Sequence, residues 1–326
     1  MRKQMKIGTT RGLLFLVITI FSLLLVGCQP DSCKMDPIIC YPPSQRLIEK
    51  LPSPFPPMTT DEFSQEWGKE LFLGRKFARE LDLYRALTCF KSALFLVPSD
   101  QFNRIIEIEY EIFLAYYLGN KYQEAIDAFE TSHLVKVSDS FPALHDLLIA
   151  LYDAYMNNDQ PEKGGRILCL IAALDNGEAI KLKLETAIIE ADFPTILNTI
   201  EQYSQKESIY HFLDEYNCQA LSVSKAQTLN AVLPGAGYWY VGQQKAAITS
   251  FVINALFIAA SYQLFDRGYI PAAIITTSLE IGWYFGGING AGLAAREYND
   301  RLYERIGGEV LMENRLFPVL MLQMSF

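Results

Sequence analysis

Metal-binding and catalytic signatures are scarce in this sequence. Only 3 histidines occur in 326 residues. They are His133, His145 and His211, and no two have metal-ligand spacing. The 6 cysteines include no Cys-x-x-Cys pair, which argues against a thiolate metal site. There is no nucleophile elbow and no phosphate-binding loop. Gly235-x-Gly237 is followed by aromatics, not by the glycine that opens a dinucleotide-binding helix. Positive charge is also in short supply. Lys and Arg number 28 against 37 Asp and Glu, a net charge of -9 with no basic cluster. A chain of this balance is a poor partner for nucleic acid or an anionic lipid surface. Acid pairs such as Glu107/Glu109 fit a solvated helix face. The expectation is a protein that is not an enzyme, with no cofactor and no metal.

What is present begins at the N-terminus. Arg2, Lys3, Lys6 and Arg11 precede an apolar run over residues 13–27. That run is too short for an ordinary span and has the length of a signal-peptide core. It ends Leu25-Val26-Gly27-Cys28, which resembles the bacterial lipoprotein box. The resemblance implies cleavage before Cys28 and lipidation of its thiol. The alternative is an uncleaved anchor with a chance cysteine. Either way the remainder lies outside the cytoplasm, and without the leader it is more acidic still. Cys33 and Cys40 are close enough in sequence to pair in an oxidising envelope. Cys89, Cys169 and Cys218 fall in helical patterns, as small buried hydrophobes do.

Residues 28–58 hold eight of the 15 prolines, from Pro30 to Pro57. Proline removes backbone donors and fixes φ, so this stretch is expected to be an extended tether of low order. About thirty residues at ~3.1 Å each would reach roughly 90 Å. It serves either as a stalk or as a linker packed partly on its own domain.

From Thr59 the apolar period becomes 3.6, predicting a helical array over residues 59–220. Leu73, Gly74, Phe77, Ala86, Phe90, Ala93 and Pro98 have the spacing of the tetratricopeptide repeat, which this stretch resembles. In that pattern small Gly74 and Ala86 mark where two helices touch, Phe77 and Phe90 fill the space between hairpins, and Pro98 stops the second helix. A looser unit carries Gly119, Tyr122, Ala125 and Phe129. Two further pairs, 144–157 with 161–174 and 179–190 with 194–205, follow by helix spacing alone. Stacked repeats form a superhelix whose concave face is a groove for protein partners. Simple packing is the competing explanation for each aromatic.

Residues 221–305 differ. The box Pro234-Gly235-x-Gly237-x-x-Tyr240-x-Gly242 resembles the start of small bacterial two-helix membrane domains. Residues 246–265 carry no charge, and residues 268–295 carry only Glu280. Asp266-Arg267-Gly268 is the turn between them. An acid at the bilayer midplane costs on the order of 2.5–3.5 kcal/mol, so the second segment needs a partner helix. Gly282, Gly286, Gly290 and Ala294 are four apart, with Gly287, Ala291 and Ala295 beside them. Such a stripe fits packing against residues 246–265, or a homo-oligomer seam. Glu280 is either a polar relay, with Asn254 or Asn289 as partner, or an acid facing the extramembrane domain of a half-inserted hairpin. Lys225, Lys245, Arg296, Arg301 and Arg305 flank the hairpin while Arg267 alone sits in its turn, against the positive-inside tendency. The tail, residues 306–326, alternates like a strand at its end.

The fold expected is all-α: a tetratricopeptide-like helical solenoid followed by an apolar helical hairpin. The function expected is that of an envelope lipoprotein scaffold in a Gram-negative-type bacterium, with the array in the periplasm and the membrane as its support. The order of Cys28, proline tether and repeats (Gly74, Ala86, Phe90, Ala125, Phe129) is similar to the lipoprotein family of the outer-membrane β-barrel assembly machine. That implies a role in envelope protein assembly. The alternative is a transport or channel component whose hairpin oligomerises around Glu280.

Overall fold

The computed structural model describes residue 35 and residues 37–326, and every regular element among them is helical. The signal segment, Cys28 and Cys33 lie outside the described residues. Two short helices lead in, α1 (Gln45–Ile48) and α2 (Thr60–Ser64). Four pairs follow: α3 with α4 (Glu66–Arg79, Leu83–Leu96), α5 with α6 (Phe102–Leu118, Tyr122–Glu130), α7 with α8 (Leu144–Asn157, Pro161–Leu174) and α9 with α10 (Asn176–Ile189, Phe193–Ile200). Then come α11 (Lys206–Gln219), α12 (Val223–Val232), α13 (Ala236–Tyr240), α14 (Gln244–Asp266), α15 (Ile270–Glu313) and α16 (Pro318–Met321).

One local device builds all four pairs. The first helix of each ends on a residue in the left-handed region: Leu81 at φ 58, Asn120 at 55, Asp159 at 54 and Ala191 at 51. The next residue's N–H then reaches back to a carbonyl five positions earlier. Asp82 to Phe77, Lys121 to Tyr116, Gln160 to Tyr155 and Asp192 to Ala187 are each 2.9 Å. This is the Schellman closure, which satisfies the orphan carbonyls of the helix end. It turns the chain so that the second helix starts within three residues. The two pairs without motif residues are thus built like the two that have them.

Packing follows the repeat logic at most motif positions. Ala86, Phe90, Ala93 and Ala125 are fully buried. A Cβ on Gly74 would lie 2.6 Å from the Phe90 ring, so only glycine lets α3 and α4 meet there. Phe129 packs edge-on against Phe113 and Tyr122 tilts against Tyr117. Arg85 lies over the Phe77 ring. Pro98 follows the end of α4 at Leu96. Leu73 departs from expectation: it is exposed, because its side of α3 has no neighbouring helix.

Several other expectations are corrected. Residues 37–57 are not a free tether. Ile48 is fully buried, and Phe55 packs against Tyr110 and Phe141. Proline removes backbone donors but does not prevent side-chain burial. The tail forms no strand. It makes α16 and then an extended run ending with Phe326 buried. Among the described cysteines, Cys40, Cys169 and Cys218 are free and exposed and Cys89 is free and buried. Helix α11, placed in no element by the sequence pattern, continues the array. The 44-residue helix α15 runs without interruption from the apolar hairpin into the end of the array. There Tyr303, buried and bonded to the Ile188 carbonyl at 2.8 Å, stacks edge-on with Phe193, Phe212 and Tyr216.

Candidate functional site

The first helices of the four pairs form a face rich in buried charge. Glu107 and Glu109, expected on a solvated surface, are buried. Glu109 accepts from the His133 backbone at 3.0 Å and meets the His133 ring at 2.9 Å. Arg104 grips both Glu62 oxygens at 2.9 and 3.0 Å and donates to Glu107 at 2.6 Å. It also holds the Pro56 and Pro57 carbonyls at 3.0 and 3.2 Å, which fastens the proline segment to the array. Arg75 pairs with Glu107 and, at 2.6 Å, with Glu111. Two arginines thus face three glutamates. The Arg104 hydrogen bonds pull Glu62 down to a pKa of about 2. Burial pushes Glu111 up to about 7, and its second oxygen has no partner. Glu111 is the surplus acid of the network.

A second acidic pair lies further along the same face. Asp153 accepts from Tyr117 at 2.7 Å and from Asn157 at 2.8 Å. Burial raises its pKa to about 6. Burial, with the Asp153 charge second, also raises Glu185. Both border a cavity of about 190 Å³ that is also lined by Tyr41 and Phe317. The signal was in the sequence: Glu111, Asp153 and Glu185 each interrupt an apolar helical run.

The face is covered by the chain itself. The Asp146 carboxylate accepts from the Gln323 N–H at 3.1 and 3.2 Å and from the Met324 N–H at 2.7 Å. The Ser325 backbone N–H donates to the Pro52 carbonyl at 2.9 Å. The Phe326 ring stacks on Phe90 at 5.9 Å. Extended backbone is therefore what this groove holds. Exposed apolar side chains of the array include Phe72 and Leu73 on α3, Tyr84 and Phe95 on α4 and Phe102 on α5.

The glycine box is a folded corner. Gly235 has φ 92, its N–H donates to Asn230 Oδ1 at 2.8 Å, and a Cβ there would strike the Ala247 backbone. Gly237 lies against Ala226, Asn230 and Ala291. Tyr240 accepts from Ser222 N at 3.2 Å and lies under Lys225. Gly242 also has positive φ, where the chain turns into α14. Pro234 is half-buried beside this corner. These residues position α14 against α15, and their bonds are already made.

The outer face of the hairpin is mostly apolar, with Thr249, Gln263, Ser278 and Asn289 also exposed, and its inner face mixes small and polar side chains. Helix α14 is long and apolar enough to cross a membrane. Its buried positions are Ala247, Ser250, Asn254 and Ser261, while Ile248, Phe251, Val252, Leu256, Ile258 and Phe265 are exposed. On α15, Ala273, Glu280, Ala291 and Ala295 face inward, while Ile275, Leu279, Trp283 and Leu293 face out. Gly282, Gly286 and Gly290 do not form the seam between α14 and α15. Gly282 and Gly286 face open space, and Gly290 meets Tyr238. The neighbouring row, Gly287 and Ala291, turns inward, because helix phase follows the buried Glu280 register. Among the described residues no group of three His, Cys, Asp or Glu could hold a metal ion.

Comparison with protein-family models, with curated proteins and with solved structures yields no match.

Proposed function

We propose that this protein is a membrane-attached scaffold of a bacterial envelope. The observation that carries the reading is the inverted hairpin, whose outward faces are mostly apolar on both helices while Ser250, Asn254, Ser261 and Glu280 are buried between them. In water such a surface is far larger than a monomer normally leaves exposed. In hydrocarbon it is the ordinary arrangement. Lipidated Cys28 supplies a second attachment, and the array is the working end. Its groove already holds an extended segment through Arg79, Asp146 and the Pro52 carbonyl. A partner peptide would compete with residues 322–326 for those groups. This supports a role in envelope protein assembly rather than catalysis.

The test is fractionation of the full chain with and without Cys28→Ser. An alkyne fatty-acid label incorporated in wild type and lost in Cys28→Ser supports lipidation. Cys28→Ser retained through a carbonate wash supports the hairpin as a span. Release of Cys28→Ser into the wash would overturn that span.

A further inference from the structure

The inward face of the hairpin carries oxygen atoms that no described residue satisfies. Glu280 is 8% exposed, Asn254 2%, Ser250 8% and Ser261 9%. Five of their atoms are fully enclosed and without a hydrogen-bond partner: both Glu280 carboxylate oxygens, Asn254 Oδ1, Ser250 Oγ and Ser261 Oγ. A buried unpaired polar group costs about 1–3 kcal/mol, and more if charged. Five on one strip are not incidental.

Their placement follows from the hairpin register. A Cβ on Gly287 would sit 3.8 Å from Ser250 Oγ, so residue 287 is level with residue 250. Antiparallel helices then set Glu280 level with residue 257. Asn254 lies about 4.5 Å to one side of it along the axis, and Ser261 about 6 Å to the other. The Asn254 amide nitrogen is already spent on the Ser250 carbonyl at 2.6 Å, so the strip offers its oxygen. Beyond Glu280, the charged residues between Lys245 and Arg296 are only Asp266 and Arg267, both at the turn. Helices α12 and α13, packed against the base of the hairpin, bring Lys225, which lies over the Tyr240 ring. Among the described residues no cation therefore neutralises Glu280.

We propose that this strip binds a monovalent metal cation of sodium type, with Glu280 as the charged ligand and Asn254 and Ser261 beside it. Oxygen-only ligands suit a hard cation. One carboxylate balances one positive charge, whereas a divalent ion would leave an excess charge in a dry seam. A proton on Glu280 would leave the Asn254 and Ser261 oxygens beside it without a shared partner. The inference builds on the membrane reading, but the site is defined by the hairpin seam.

The experiment uses the full chain in detergent micelles. Thermal stability is followed as sodium chloride replaces choline chloride at constant ionic strength, alongside equilibrium binding of radioactive sodium. Wild type is expected to bind one ion per chain. Its Tm is expected to rise by about 5 °C at a hundredfold excess over Kd. Glu280→Gln, which keeps the volume, is expected to stay folded and lose both responses, and Asn254→Ala to weaken binding about tenfold or more. Equal Tm in both salts with no bound sodium overturns the site. So does a Glu280→Gln protein that binds sodium as well as wild type. A Glu280→Gln protein that is simply more stable, with wild type unresponsive to sodium, identifies Glu280 as a neutral acid. The carbonate wash reports on membrane insertion separately, so either reading can fail alone.

Discussion

Arg79 donates two hydrogen bonds to the carbonyl oxygen of Phe326, from Nε at 3.0 Å and Nη2 at 2.7 Å. The two residues are 247 positions apart. The first repeat helix is thus closed by the tail, and the tail shares the core of the first pair through Phe90. Phe326→Ala is expected to lower unfolding stability by about 3–5 kcal/mol, the usual cost of emptying a buried aromatic site. Arg79→Ala should cost about 1.5–3 kcal/mol, in the range of a charged hydrogen bond. Denaturant melts of the two variants and their combination check this. Since the groups adjoin, the double variant should lose less than the sum.

The acidic face predicts an unusual pH profile. Asp153 at about 6 and Glu111 at about 7 are raised above their ordinary values of 3.8 and 4.5, so the folded state holds protons that the unfolded state has released. Stability is therefore lost as pH rises from about 4 to 7. Glu62 has the opposite sign. Its pKa of about 2 gives stability above 4.5 that disappears as pH falls toward 2. Melting temperature against pH should peak near mildly acidic values. Asp153→Asn and Glu185→Gln should each flatten the neutral side and leave the acid limb. A peak above pH 8 would contradict the assignment.

Ala191 and Leu81 take left-handed backbone without being glycine. Such a conformation costs an L residue roughly 1–2 kcal/mol. Ala191→Gly is expected to stabilise the array by about 0.5–1 kcal/mol once the added freedom of the unfolded chain is counted. Gly74→Ala should do the reverse, costing about 1–3 kcal/mol through the Phe90 ring. Paired urea melts of these two variants provide the check.

Single-tryptophan variants test the proposed lipid contact of the hairpin. Trp283 is exposed on the outer side of α15, and Trp67 is buried in α3. In vesicles containing brominated lipid, Trp283 fluorescence should be strongly quenched and Trp67 fluorescence unchanged. Equal quenching of both, or of neither, would refute the orientation given to the hairpin.

Much of the architecture was readable from local pattern. Gly74, Ala86 and Phe90 announce a helix pair because close approach and ring filling restrict residue size. Asp266-Arg267-Gly268 announces its turn because Gly268 adopts φ 79. What local pattern misses is long-range. Residues 37–57 and 322–326 look like tether and strand because their burial comes from partners far along the chain, such as Arg104 and Asp146. The same blindness hid Glu107 and Glu109, whose periodicity matches a wet face although Arg104 and His133 enclose them. The stripe of Gly282 and Gly286 was legible as a stripe. Which row faced the neighbour depended on the phase set by Ser250, Asn254 and Glu280.

Helix α15 has a mechanical consequence. Its 44 residues make a rod about 66 Å long, more than twice the thickness of a bilayer's hydrocarbon. One end bears the outward Ile275 and Trp283, and the other is gripped by Tyr216 and Phe193 around Tyr303. A tilt of about 10° at the lipid end displaces the far end by roughly 11 Å over that length. The rod is a lever arm: with its apolar end seated in a bilayer, as proposed, a tilt of the hairpin would be carried to the repeat array through the packing around Tyr303.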